Sequence, residues 1–253
     1  MRFPGDAGRP GITAIRDVSF ALDDGEVVAL IGPSGCGKST LLNIGSGLYG
    51  PSDGAAFVDG ERVTAPSRHV AFMLQKDLLL PWRTILDNVA FGLEIQRRPG
   101  AERIARAREL LAGLGLAEFA NHYPHQLSGG MRQRVALART LAVDPSVLLL
   151  DEPFSAVDAQ TRMVLQRDLA RTLKQAGKTA LLITHDLAEA VLMADRVLVM
   201  SPRPGRIIDE IRIDLPHRDD PIARREHARL GEYAATLMQR LHIGEAQAVE
   251  PAA

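Results

Sequence analysis

Gly32-Pro33-Ser34-Gly35-Cys36-Gly37-Lys38-Ser39-Thr40 follows the apolar run Val27 to Ile31 and precedes a helix-like Ser39-Thr40-Leu41-Leu42-Asn43. The spacing G-x-x-x-x-G-K-[ST] between a strand and a helix is what a phosphate-cradling loop needs. The glycines let the backbone wrap a triphosphate with successive N–H groups pointing inward, and the helix adds the positive end of its dipole. Lys38 is placed to neutralise the β- and γ-phosphates, and the Ser39 hydroxyl to bind Mg²⁺. Gly32 to Thr40 therefore predicts a nucleoside triphosphate site. Cys36, the one cysteine of the chain, reads as a small residue that fits the loop rather than as a functional thiol.

Four further groups follow in order. Val147-Leu148-Leu149-Leu150-Asp151-Glu152-Pro153 is a hydrophobic strand ending in two carboxylates, and a strand end in an open α/β sheet is where ligands bind. Asp151 is placed to hold Mg²⁺ through water, and Glu152 to polarise an attacking water. Leu127-Ser128-Gly129-Gly130-Met131 is a second glycine-rich turn, opening a helix over Gln133 to Ala142. The Ser128 hydroxyl, the Gly129 and Gly130 amides and the helix dipole make a second phosphate-binding end. One triphosphate cannot use both ends of the same fold unless another subunit brings the second. His185 follows the strand Ala180 to Ile183, and Gln75 ends the strand Val70 to Leu74, where an amide can bridge metal, water and a moving subdomain. Alone, an acidic turn or a histidine at a strand end is usually structural. Their order along this chain favours the chemical reading.

The elements that must position these groups are legible from periodicity. Asp17 to Leu22 alternates like a half-buried strand, and Asp23-Asp24-Gly25-Glu26 turns into the apolar strand before the loop. Ala55 to Val58 reads as a strand, with Asp59-Gly60 as a hairpin turn. Ile85 to Leu116 is mostly helical, broken at Pro99-Gly100, and Ile104, Ala107, Leu110, Leu111 and Leu114 keep helical spacing. Val147 to Leu150 and Ala180 to Ile183 are short, fully apolar runs of parallel-sheet type, and Val197 to Met200 is a further strand. Arg162 to Gln175 and Leu187 to Met193 read as the helices between them. Strands alternating with helices predict an α/β sheet interrupted by a helical insertion.

Composition bounds the rest. A chain of 253 residues can bury a sizeable core, and a net charge of −1 gives no reason to expect nucleic acid bound through bulk charge. No apolar stretch reaches the length of a membrane span, and the N-terminus lacks a signal-peptide apolar region. One cysteine means no disulfide framework, so a reducing cytosol is expected.

With all five motifs in order, the chain resembles the ATP-binding-cassette (ABC) transporter ATPase family over nearly its whole length. Gly32 to Thr40 resembles its Walker A motif, Gln75 its Q-loop glutamine, and Leu127 to Met131 its signature, with Met131 where the commonest form has Gln. Val147 to Pro153 resembles Walker B with Glu152 as catalytic base, Ser155-Ala156-Val157-Asp158 the D-loop, and His185 the switch histidine. The resemblance implies a P-loop NTPase (RecA-like) core with an antiparallel β-subdomain and a helical insertion. The boundaries expected are a core of 1–84 and 146–215, a helical subdomain of 85–145, a helical tail of 216–244 and a frayed 245–253. It implies ATP and Mg²⁺ as cofactors, with Ser39, Gln75 and Asp151 at the metal and Glu152, His185 and Gln75 catalytic. It implies a homodimer that sandwiches ATP between Lys38 of one copy and Ser128 of the other. Its partners are two transmembrane permeases and a periplasmic or lipoprotein solute-binding protein, at the cytoplasmic face of the cell membrane. The family begins with a strand and then an adenine-stacking aromatic. This chain starts almost at that point, which leaves Phe3, or else a flexible arm. The end soon after the core predicts no long C-terminal regulatory domain of the sugar-importer kind.

Asp77-Leu78-Leu79-Leu80-Pro81-Trp82-Arg83-Thr84-Ile85-Leu86-Asp87-Asn88-Val89 and Ser201-Pro202-Arg203-Pro204-Gly205-Arg206-Ile207 resemble the nitrate, sulfonate and taurine importers; pyrimidine-precursor importers share these stretches. Leu78 to Trp82 either packs the insertion on the core or lines a groove for a permease helix. The alternative is a soluble ABC ATPase of DNA repair or translation. The first inserts long heptad coiled coils, whereas about 50 residues without heptads separate Gln75 from Leu127; the second carries two cassettes, and this chain has one. An exporter half is normally fused to membrane helices.

Overall fold

The computed structural model describes residues 1–5, 10–155 and 157–241. The chain opens with β1 (Arg2–Phe3) and β2 (Ile12–Thr13), an antiparallel pair, and then β3 (Val27–Ile31) runs into α1 (Lys38–Gly45). A second small hairpin joins β4 (Phe57–Val58) to β5 (Glu61–Arg62). Its turn is Asp59-Gly60 with φ of 52° and 77°, the positive pair that a two-residue hairpin with right-handed twist demands. After β6 (Val70–Met73) come the helices of the insertion, α2 (Ile85–Ile95), α3 (Gly100–Gly113) and α4 (Gly129–Ala142). The chain then alternates through β7 (Val147–Asp151), α5 (Ala159–Gln175), β8 (Thr179–Ile183), α6 (Leu187–Met193) and β9 (Arg196–Met200). It closes with β10 (Ile207–Arg212), α7 (Pro221–Arg225) and α8 (Leu230–Arg240).

Six strands form the central sheet in the order β10-β9-β3-β8-β7-β6, parallel except for β10 at one edge. Apolar runs without alternation go to its middle: every residue of β3 and of β8 is buried. β10 alternates instead, as an edge strand with one wet face does. Register fixes the site. Ile183 is paired with both Leu30 and Asp151, and Met73 with Leu150, so β3, β8, β7 and β6 end level with one another. Gly32, Thr184-His185, Asp151-Glu152 and Leu74-Gln75 therefore leave the sheet along one carboxyl edge.

In the insertion, Thr84 caps α2 by accepting the Asp87 amide at 3.1 Å. Ile85, Val89, Ala107, Leu111, Val135 and Leu141 knit α2, α3 and α4 into one core that continues through Leu148 and Leu150 of β7. The predicted break at Pro99-Gly100 stands at the α2–α3 junction. Three expectations need correction. Asp17 to Leu22 forms no strand ladder: Val18, Phe20 and Leu22 do face the core while Ser19 and Ala21 are exposed, but no strand among the described residues pairs with them. The helix expected over Gln133 to Ala142 begins four residues earlier, at Gly129, because Ser128 caps it there. The one expected from Arg162 begins at Ala159, capped by Asp158, whose carboxylate accepts the Thr161 amide at 2.9 Å. The frayed tail expected at 245–253 and Ala156 of the D-loop lie outside the described residues.

The C-terminal helices are stapled by Arg224, which is 2% exposed. Its guanidinium donates to the carbonyls of Val191, Leu192 and Ala194 behind α6 and to Leu215 and Pro216. The Val191 and Leu192 carbonyls are acceptors that the end of α6 leaves unpaired. Among the described residues no helix is long and apolar enough to cross a membrane.

Candidate functional site

The phosphate loop is held in its shape from outside. Gly35 and Gly37 have φ of 74° and 109°, which side-chain-bearing residues rarely adopt. A Cβ on Gly37 would also overlap Ile15 Cγ2 and lie 3.1 Å from the Ala14 carbonyl oxygen. Gly37 is the N-cap of α1 and supplies no side-chain cap, so the first-turn amides of that helix point into the loop without one. Lys38 is 9% exposed, and its ammonium donates to the carbonyls of Gly32 at 2.7 Å and Pro33 at 3.0 Å. These contacts span Gly32, Pro33, Ser34, Gly35, Cys36, Gly37 and Lys38 as one turn of chain folded around the amine. Cys36 lies buried beneath it as a small packing residue. Ser39 and Thr40 begin the helix.

Beside the loop, the partly buried Asp151 carboxylate stands at the end of β7, near the Ser39 hydroxyl. Burial pushes this carboxyl above its ordinary range; the Ser39 hydroxyl and the Lys38 charge pull it back, and the neighbouring Glu152 charge adds to the rise. Glu152 sits at φ 48°, a left-handed conformation unusual for a glutamate, and its amide donates to Ile183 O at 3.0 Å. The strand thus turns sharply at the carboxylate and aims it away from the sheet. Gln75 donates from Nε2 to Glu152 Oε2 at 2.8 Å, and His185 Nδ1 lies 3.5 Å from the same oxygen. Two residues from flanking strand ends thus converge on one carboxylate oxygen at the end of a third strand. Such an arrangement can orient and deprotonate a water.

The second glycine-rich end is built differently. Ser128 Oγ accepts the Met131 amide at 3.3 Å, and Gly129 and Gly130 form the first turn of α4. Gly130 packs closely on Thr161 of α5. Met131, the departure from the usual signature, is half-buried against the core of the insertion.

Several residues that the sequence reading passed over tie α4 to the strand edge. Gln133, 3% exposed, donates to the Pro153 carbonyl at 2.7 Å. Arg132 Nε binds Asp77 Oδ2 at 3.0 Å. Arg139 donates to the carbonyls of Leu78 at 2.8 Å and Asp77 at 2.6 Å. The one-sided placement of Arg132 and Arg139, seven positions apart on one helix face, was the available signal; their partners lie more than 50 positions away in sequence. Leu78 to Trp82 divides between the two readings. Leu79 is core at 8% exposed, whereas Leu78 and Trp82 stand out at 54% and 72%. Phe3 is half-buried in β1 with its ring edge-to-face on Tyr49, centroids 6.0 Å apart.

The family model described as ABC transporter matches residues 15–155. A taurine import ATP-binding protein, TauB, of Yersinia pseudotuberculosis is 44% identical over 230 residues, 86% of this chain and 90% of that protein. The uncharacterized ABC transporter ATP-binding protein YtlC of Bacillus subtilis is 48% identical over 195 residues, 77% of this chain and 75% of that one. Among solved structures, a dimeric post-hydrolysis state of the ATP-binding cassette MJ0796 bound to ADP and Pi has a TM-score of 0.75 at 34% identity, covering 84% of this chain and 96% of that one. The phosphate loop, the strand-edge carboxylates and a family match over more than half of the length lead to one conclusion: this chain belongs to the ABC transporter family, as the ATP-binding, ATP-hydrolysing subunit of an importer.

Proposed function

We propose that the chain works as a head-to-tail homodimer at the cytoplasmic face of the cell membrane, beneath two permease subunits fed by a solute-binding protein. Its solute is a small sulfonate of the taurine kind, a reading supported by relatives named for taurine import. The observation that carries the mechanism is the convergence of Gln75 and His185 on Glu152 Oε2.

Glu152 accepts the proton of the attacking water. Gln75 and His185 fix its carboxylate, and His185 also faces the developing charge on the transferred phosphoryl group. Lys38 and the amides of Gly35 to Thr40 hold the β- and γ-phosphates by charge and hydrogen bonds laid out before ATP arrives. Ser39, Asp151 and the Gln75 amide oxygen offer hard oxygen donors on the phosphate side, a set that suits Mg²⁺. Among the described residues no cluster of three His, Cys, Asp or Glu forms a cage, which fits an ion held largely by phosphates. Mg²⁺, when bound, neutralises charge on those phosphates. Ser128, Gly129 and Gly130 serve the partner's nucleotide. Phe3, exposed on one side, stacks on adenine.

Arg132 and Arg139 make α4 report on the loop after Gln75, so the signature end and the exposed Leu78 and Trp82 move together. Trp82 is the permease-facing anchor in this reading. Glu152→Gln tests the chemistry: ATP binding persists, hydrolysis falls by roughly a hundredfold or more, and ATP-bound dimer accumulates on size exclusion. Near-normal turnover in that variant removes Glu152 from the mechanism. Trp82→Ala should leave ATP binding intact and abolish co-purification with the permeases.

A further inference from the structure

The loop Ser201 to Arg206, between β9 and β10, has a role beyond marking a subfamily. Arg203 reaches across to the phosphate loop and donates from Nε at 3.1 Å and from Nη2 at 2.9 Å to one acceptor, the Gly35 carbonyl. Gly35 is one of the two loop residues with positive φ, so its carbonyl direction decides which way the neighbouring amides point. Two residues on, Gly205 lies so close that a Cβ there would overlap the Cys36 carbonyl and the Met200 side chain. The Gly205 amide donates to Ala14 O at 2.9 Å, and its carbonyl accepts the Arg16 amide at 3.0 Å. Ala14 and Ile15 are the residues that press on Gly37. The loop itself is closed by Ser201, whose amide donates to Arg206 O at 2.9 Å and whose hydroxyl accepts the Arg206 amide at 3.1 Å.

We propose that Ser201 to Arg206 is a brace on the phosphate loop and that Arg203 is a positioning residue for ATP. It grips the Gly35 carbonyl from outside and keeps the loop amides turned inward toward the triphosphate. Carbonyls turned inward would repel phosphate oxygens, so a loop that holds them outward before ATP arrives binds without reordering. Arg is suited to this because two of its N–H groups converge on one oxygen in a fixed plane; a lysine offers a single mobile donor.

The inference rests on Gly32 to Thr40 being the ATP site, and the experiment separates the two. ATP affinity, KM and kcat are measured for the full chain and for Arg203→Ala, Arg203→Lys, Arg206→Ala and Lys38→Ala. Hydrogen exchange of the peptide covering Ser34 to Lys38 is followed without nucleotide. Arg203→Ala is expected to raise Kd and KM for ATP roughly tenfold with kcat at saturating ATP within about twofold. Exchange in the loop peptide should quicken while the melting temperature holds. Arg203→Lys should recover part of the affinity. Arg206→Ala removes the same charge from the same loop, but Arg206 pairs with Asp17 at 3.4 Å, so affinity should stay within about twofold. Unchanged affinity and exchange in Arg203→Ala, with Lys38→Ala strongly weakened, overturn the brace alone. Equal losses in Arg203→Ala and Arg206→Ala also overturn it, in favour of bulk charge. Full affinity in Lys38→Ala overturns the site reading beneath it.

Discussion

The chain opens a helix from a glycine-rich turn twice, and the two turns are held in opposite ways. At Gly32 to Thr40 the cap is a glycine with φ 109° and no side-chain cap, and the loop is gripped from outside by Ala14, Ile15, Arg203 and Gly205. At Ser128 to Gly130 the cap is the serine itself, and the helix hangs from the Asp77 and Leu78 carbonyls and Pro153 through long side chains. The first turn has its shape imposed by backbone contacts and keeps its amides for a ligand. The second carries its own cap and is tethered by flexible arms to the segment after Gln75. A rigid cradle and a tethered reporter are different devices, although both read in sequence as glycine before a helix.

The largest effect that can break this comparison lies in shared sites. If Ser128 serves the partner's nucleotide, a mixture of Lys38→Ala and Ser128→Arg chains keeps one composite site intact in the heterodimer. A Lys38→Ala/Ser128→Arg chain mixed with wild type spoils both. The opposite ranking, with the double-mutant heterodimer active and the mixture of single mutants dead, would show that each site is built within one subunit. Next comes the contrast between glycines. Gly37→Ala should lower ATP affinity by roughly a hundredfold, because a Cβ meets Ile15 in a left-handed backbone. Gly130→Ala meets the Thr161 methyl at 3.0 Å and Val157 Cγ1 at 3.5 Å, side chains rather than backbone, and should leave single-chain affinity unchanged by calorimetry.

A smaller effect sharpens the second turn. Ser128→Ala removes the cap on Met131 and should cost about 1 kcal/mol in denaturant melts, with ATP affinity of the single chain unaltered. The smallest effect concerns the helix behind His185. Burial raises the Glu189 carboxyl to about 7, against hydrogen bonds from Thr184 and Gln166 and with the Asp186 charge adding to the rise. A carboxyl raised on folding contributes stability that is complete below its unfolded value and is lost as pH climbs through 7. The melting temperature of the wild type should therefore decline between about pH 5 and pH 8 by a few degrees, and Glu189→Gln should flatten that decline. A flat wild-type profile would show that Glu189 is ionised without penalty.

Much of this was open to a reader of the sequence. The five motifs, the apolar strands β3, β7 and β8 and the Asp59-Gly60 turn are local patterns, set by spacing within a few residues. Asp17 to Leu22 shows the limit of such patterns. Alternation correctly gave its inward face, yet ladder pairing depends on a neighbour that periodicity cannot supply. Leu78 to Trp82 shows it again: one apolar run divides into a core residue, Leu79, and an exposed one, Trp82.

The sequence by itself determined that two glycine-rich helix starts and a strand ending in two carboxylates belong to one chain, because each pattern is a matter of residue types at short spacing. Only the tertiary structure decided that Gln75, Glu152 and His185 meet at one oxygen, since the level ends of β6, β7 and β8 are a matter of register between strands distant along the chain. It also decided that Arg203 grips Gly35 from 168 residues away. Contacts of that reach are fixed by how the sheet is ordered, and strand order leaves no local trace in the residues it brings together.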